Sequence, residues 1–170
     1  SDSKGFVSKL DNMLALQVYK HYLNVLPDDF FYENVCSFPL LTQSRNREIA
    51  KVPIYFTKDG KLQFSMELKK GTRVSLSYSK PEYLLRQTLA AANAMADFRP
   101  QGMMLFACMN RRVFMGNDKA EREFVYYRHA NENLCWTYGY GEILQTGEGG
   151  GVLNSSLVAV GFREGRADSE

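Results

Sequence analysis

Histidine is nearly absent from this chain of 170 residues. Only His21 and His129 occur, far apart and without metal-ligand spacing to any cysteine, which argues against a zinc site. The three cysteines, Cys36, Cys108 and Cys135, form no C-x-x-C pair. Their odd number points to reduced thiols in a cytosolic compartment rather than to a disulfide framework. No apolar run approaches the roughly 20 residues needed to span a bilayer. The polar start, residues 1–9, lacks the apolar core of a signal peptide. Charge of one sign is also lacking: the net charge is +2 and no basic block stands out, so there is little drive towards nucleic acid or a membrane surface. The charges at 45–51 and 69–73 are scattered and read as solvated faces. No nucleophile-elbow motif supports a Ser-His-Asp triad.

What the chain does have is core. At 45% apolar and 13% aromatic residues it is too apolar to be disordered, and it is long enough for one domain with a sizeable interior. Ser8 and Asp11 read as a capping pair for a first helix with Leu10, Met13, Leu14, Val18, Tyr22 and Leu26 on one face, stopped at Pro27. Residues 28–47 read as irregular. Alternation at Val52, Ile54 and Phe56, then Leu62 to Leu68, then Val74 to Tyr78, predicts a three-stranded antiparallel meander, with Pro53 at an edge or bulge. Pro81 opens a second helix. The apolar run Met103 to Cys108 predicts a strand buried on both faces, and Asp118 with Glu121 caps a third helix. Two more strands are expected around 136–144 and 152–162. The fold class is therefore α+β: an antiparallel meander plus a buried central strand, with about three helices packed on the sheet.

The chemistry concentrates near the C-terminus. In Trp136-Thr137-Tyr138-Gly139-Tyr140-Gly141-Glu142, a carboxylate sits among glycines and rings, followed by an apolar strand. Burying an unpaired carboxylate costs several kcal/mol, so Glu142 is expected to find a donor, a ligand or solvent in a cleft. The Gly-rich run 147–151 lacks the context of a phosphate-binding loop and reads as a hairpin connection. Met103 and Met104 read as core packing. Cys108 closes a strand and is followed by Asn110-Arg111-Arg112. A nearby cation favours a thiolate, and an arginine can hold an anionic ligand bidentately, although an inert thiol and a surface salt bridge are the simpler roles.

Taken in order, Phe106-Ala107-Cys108-Met109-Asn110-Arg111, then Tyr138-Gly139-Tyr140-Gly141-Glu142-Ile143, then Asn154-Ser155-Ser156-Leu157-Val158 resemble the C-terminal part of the FIST sensory domain. The resemblance runs from about Leu10 to Arg163. It implies a small-ligand-sensing input domain of a cytoplasmic, bacterial signal-transduction protein, with amino acids or small carboxylates as ligands. It also implies a ligand site at Cys108, Arg111, Gly141, Glu142 and Asn154, where Arg111 is expected to hold a ligand carboxylate, Glu142 an amino group and Tyr138 or Tyr140 to form an apolar wall, with no metal, no cofactor and no catalysis by this segment. The partners it implies are an N-terminal FIST half and a downstream output domain such as a diguanylate cyclase or histidine kinase, with no nucleic acid and no membrane contact. Residues 1–165 are expected to form the sensory domain and 166–170 to open a linker, in a segment cut from a longer protein. Two other readings stay open. One is an interaction scaffold or dimerisation half-module without a ligand of its own; the other is a thiol-dependent enzyme or redox sensor using Cys108.

Overall fold

The computed structural model describes residues 5–44, 47–146 and 149–165. It divides into two compact units, Ser1–Ser79 and Lys80–Glu170, each with its own interior. The residues expected to open a linker, 166–170, and Arg45, Gly147 and Glu148 of the sequence reading, lie outside the described residues.

In the first unit three short strands, β1 (Phe6–Val7), β2 (Lys9–Leu10) and β3 (Met13–Leu14), precede helix α1 (Ala15–Leu23). The expected capped start at Ser8 and Asp11 is not what forms. Asp11 takes the left-handed conformation (φ 51°) in the turn of a β2–β3 hairpin, where Leu10 pairs with Met13. A short acidic side chain tolerates that conformation, and two apolar residues three apart fit a hairpin as well as a helix. The helix ends at left-handed Asn24 rather than at Pro27. The stretch expected to be irregular contains α2 (Phe31–Val35), β4 (Leu40–Ser44) and β5 (Arg47–Lys51).

Of the expected meander, β6 (Pro53–Phe56) and β7 (Leu62–Phe64) do pair antiparallel, with a register shift after Pro53 as that proline requires. The third strand is a correction: β8 (Ser75–Leu76) pairs with β4 instead, Leu76 opposite Leu40. Alternation tells which face a strand buries, not which neighbour it chooses. The resulting sheets run β1-β7-β6 and β5-β4-β8. Ala15, Leu16, Tyr19, Phe31, Val35, Leu40, Leu62 and Phe64 close the core, and the buried Tyr19 hydroxyl donates to the Phe38 carbonyl (3.0 Å).

The second unit opens with α3 (Pro81–Phe98), its proline at the first turn as expected. There follow β9 (Gly102–Cys108), α4 (Met109–Met115), α5 (Asn117–Ala130), β10 (Leu134–Gly139), β11 (Glu142–Thr146), β12 (Gly149–Leu153) and β13 (Leu157–Phe162). Strand β9 is central in the order β10-β9-β13, parallel to β10 and antiparallel to β13. It is not buried on both faces, however. Met103, Leu105 and Ala107 pack with Ala92, Phe124 and Tyr127 of α3 and α5, whereas Met104 (39%) and Phe106 (38%) keep substantial exposure. A continuous apolar run cannot reveal by itself that one sheet face is open.

The expected strands around 136–144 and 152–162 are each broken by a turn. This gives β10 and β13 in the sheet and an antiparallel hairpin of β11 with β12. Helix α5 is capped by Gly116, with no side-chain cap; Asp118 sits in the first turn, where its charge suits the helix N-terminus. Helices and mostly antiparallel sheets make the fold α+β, as expected. Among the described residues there are five helices rather than three, α2 and α4 being short ones that leave little periodicity in sequence.

Candidate functional site

Strand β9 ends at Cys108 and passes directly into α4, so Asn110 and Arg111 lie in a first helical turn rather than on a strand end. Beside this turn, the connection between β12 and β13 carries Asn154, Ser155 and Ser156. Ser155 takes a left-handed φ of 57°, strained for a non-glycine residue, so its surroundings must hold it. Asn110 Nδ2 donates to Ser155 Oγ (2.8 Å), Arg111 Nη1 donates to the Ser155 carbonyl (3.2 Å), and the Cys108 amide donates to the Ser156 carbonyl (2.9 Å).

Arg111 is itself anchored. Its Nε donates to Glu123 Oε2 (3.2 Å), and its Nη2 donates to Thr88 Oγ1 (3.2 Å) and to Glu123 Oε1. Thr88 Oγ1 lies 2.5 Å from Glu123 Oε1. The Glu123 side chain is wholly buried and that of Arg111 is 10% exposed. This ion pair, shared by α3, α4 and α5, survives burial because its hydrogen-bonding capacity is well used.

The same connection meets Glu142, the first residue of β11 and only 3% exposed. Ser156 Oγ donates to its Oε2 (2.6 Å). Its Oε1 is buried without a hydrogen-bond partner, alone in that respect among the described side chains. Burial pushes the Glu142 carboxyl above the ordinary range, against the opposing pull of Ser156, Cys108 and Arg111. Cys108, 2% exposed, donates from Sγ to Asn154 Oδ1 (3.6 Å). Burial pushes this thiol up as well, and Glu142 adds to the effect. Among the described residues no cation draws Cys108 towards a thiolate, Arg111 being bonded to Glu123, Thr88 and Ser155.

The fold thus gathers Cys108, Glu142 and Asn154, with Arg111 bracing the 154–156 connection beneath them. The aromatic residues lie elsewhere. Tyr138 pairs in register with Ala107 and meets Phe124 edge-on (5.5 Å), with the Arg112 guanidinium over its ring (5.4 Å). Tyr140 is 92% exposed, and Gly141 completes the turn from β10 into β11. Ser156, Asn110, Glu123 and Thr88 were missing from the sequence-derived site. A signal for two of them was available: Glu123 interrupts the buried stripe Ala120-Phe124-Tyr127, and Thr88 interrupts Leu85-Ala92. A polar residue on an apolar stripe requires a buried partner.

Chemically, the cluster offers a buried carboxylate with one oxygen that lacks a hydrogen bond of ordinary geometry, and beside it the Cys108 thiol, which burial and Glu142 push above its ordinary range. Among the described residues no group of three or more His, Cys, Asp or Glu forms a metal-ligand set, and no helix is long and apolar enough to cross a membrane.

Comparison with curated proteins and with solved structures returned no match. The family model of the FIST C domain matches residues 15–145, a span that contains Cys108, Arg111 and Glu142 and stops short of Asn154. That match covers most of the chain, which therefore belongs to the FIST C domain family, a sensory-type domain of signalling proteins.

Proposed function

We propose that this chain is the ligand-sensing input part of a cytoplasmic, bacterial signal-transduction protein, and that its ligand is a small molecule whose amino group is held by Glu142. The observation that carries this reading is the buried, partnerless Oε1 of Glu142. A buried acceptor left unsatisfied costs about 1–3 kcal/mol, and a ligand ammonium would remove that cost through a charge-assisted hydrogen bond. Ser156 and Asn154 supply further polar contacts, and Cys108 a small soft wall. Arg111 acts as a positioning residue: with its donors committed to Glu123, Thr88 and Ser155, it holds the 154–156 connection instead of gripping a ligand carboxylate. Amino acids fit the site through their amine, and small carboxylates fit it less well.

Because Oε1 is closed off, a ligand has to shift Ser156 or the β11–β12 hairpin to reach it. Strand β13 follows Ser156 directly, which gives a route by which ligand occupancy biases an attached output domain. An N-terminal FIST half would complete the module. The test is a thermal-shift screen of the 170-residue chain against amino acids, simple amines and small carboxylates. A ligand at 100 times its dissociation constant adds about 2.7 kcal/mol. The reading expects amines and amino acids to raise the midpoint in the parent chain and not in Glu142→Gln. Stabilisation by carboxylates alone, or an equal rise in both proteins, would refute it.

A second reading is favoured by one observation: the hairpin region displays Tyr140 (92% exposed), Ile143 (79%) and Val152 (50%) together. Exposed aromatic and aliphatic groups of this kind suit a contact surface. On this reading the chain self-associates or docks on its N-terminal half, and Tyr140→Ser with Ile143→Ser abolishes the association. A parent chain that sediments as a monomer and has no affinity for that half would dispose of it.

A further inference from the structure

The charges at 69–73, scattered in sequence, meet a distant lysine in the first unit. Lys9 on β2 and Lys69, Lys70 and Arg73 on the bend between β7 and β8 line one concavity of about 980 Å³. Among its lining residues one carboxylate, Asp11, faces four cations. None of the four cations makes an ion pair or a side-chain hydrogen bond with a described residue. Two half-buried cations elsewhere do find partners, Lys61 in Asp59 and Lys119 in Glu82. The floor of the basin is different in kind. Val7 and Leu68 are buried there, and Leu10 and Val74 are partly buried against the same core. Gly71, at φ +80° with nothing near its Cβ position, turns the bend between Lys70 and Arg73.

An apolar floor under a rim of unpaired cations is complementary to a particular class of molecule. A neutral apolar ligand would leave the like charges repelling one another, and a bare inorganic anion would leave the floor wet. Lysine ammonium groups serve as point charges for phosphate, and an arginine adds a bidentate fork. The volume lies at the upper end of the range for small-molecule sites. We propose that this basin binds a small organic polyphosphate of the nucleotide type, with phosphates on Lys9, Lys69, Lys70 and Arg73 and an apolar or planar body over Leu10 and Val74. The site lies wholly within the first unit and does not depend on the reading of Glu142.

The experiment is isothermal titration of the 170-residue chain with adenosine triphosphate, inorganic triphosphate and adenosine, at low and at high salt. The nucleotide is expected to bind saturably and more tightly than triphosphate, with adenosine weakest, and added salt is expected to weaken the phosphate probes because the cations are exposed. The variant Lys69→Glu/Lys70→Glu/Arg73→Glu is expected to weaken binding by roughly ten- to a hundredfold, since each reversal removes one surface attraction and adds one repulsion. Lys9→Glu alone is expected to weaken it severalfold. A variant with the same change in net charge placed elsewhere, Lys20→Glu/Lys58→Glu/Arg122→Glu, should bind nearly as the parent does. All these side chains are exposed, and circular dichroism checks that each variant folds. Three results would overturn the proposal: no saturable binding of either phosphate probe at low salt, equal losses in the two triple variants, or an indifferent Lys9→Glu.

Discussion

Replacing Arg111 by methionine removes the cation from a carboxylate that has no access to water. Glu123 keeps Thr88 as a neighbour and loses the guanidinium, while the Ser155 carbonyl loses its donor. Breaking one side of a buried pair costs about 3–5 kcal/mol, because the charge left behind is neither solvated nor compensated. In a unit of this size each kcal/mol moves the melting midpoint by about 4–8 °C, so the midpoint should fall by roughly 12–40 °C. Arg111→Met/Glu123→Leu removes both charges and should recover most of that loss. A residual of about 1 kcal/mol would remain for the Ser155 carbonyl, since Thr88 Oγ1 keeps its hydrogen bond to the Leu84 carbonyl (3.0 Å). Urea unfolding followed by fluorescence of Trp136, the chain's single tryptophan, stacked 4.8 Å from Phe124 of the same unit, reports both variants. The reasoning is refuted if Arg111→Met costs less than about 1 kcal/mol, or if the double variant is as unstable as the sum of the single ones.

Glu142 makes a prediction in pH. Its folded carboxyl is raised by burial, so the stability linked to it is present below the ordinary carboxylate range and is lost as pH rises through the folded value. Glu142→Gln should abolish that slope and, at neutral pH, stabilise the chain by about 1 kcal/mol, as the urea midpoint of both proteins between pH 4 and pH 8 will show. Parallel pH profiles would count against the burial argument. Cys108, buried and pushed up, should resist iodoacetamide in the native chain while the exposed Cys135 reacts. Equal labelling of the two would revive the redox reading.

Much of this was legible in sequence because it depends on local chemistry. Pro81 marks the start of α3, Pro53 marks an irregular pairing, and the apolar run at 103–108 marks the central strand. Other features depend on which partner a segment meets, and pattern does not encode that. Asp11 has the chemistry of a cap and of a left-handed turn alike, and only the pairing of Leu10 with Met13 decides between them. Strand β8 comes from an alternating stretch, yet only Ser75 and Leu76 pair, both exposed, and they join β4. At the candidate site, Glu142 could be named because a carboxylate amid glycines and rings is unusual in a core, whereas Cys108 and Asn154 rest on the family resemblance. The commitment of Arg111 to Glu123 and Thr88, 12 and 23 residues away, could not be seen. The same holds for Lys9 beside Lys69, since a charge cluster built across sixty residues looks in sequence like two ordinary solvated faces.

The central claim is that Glu142 holds a ligand's amino group. It is tested most directly by isothermal titration of the parent chain and Glu142→Gln with the strongest amine from the screen. A hydrogen bond to a charged group is worth about 1.5–3 kcal/mol, so the account predicts a loss of affinity of roughly ten- to a hundredfold in the variant. An amine that binds both proteins with the same affinity would contradict it.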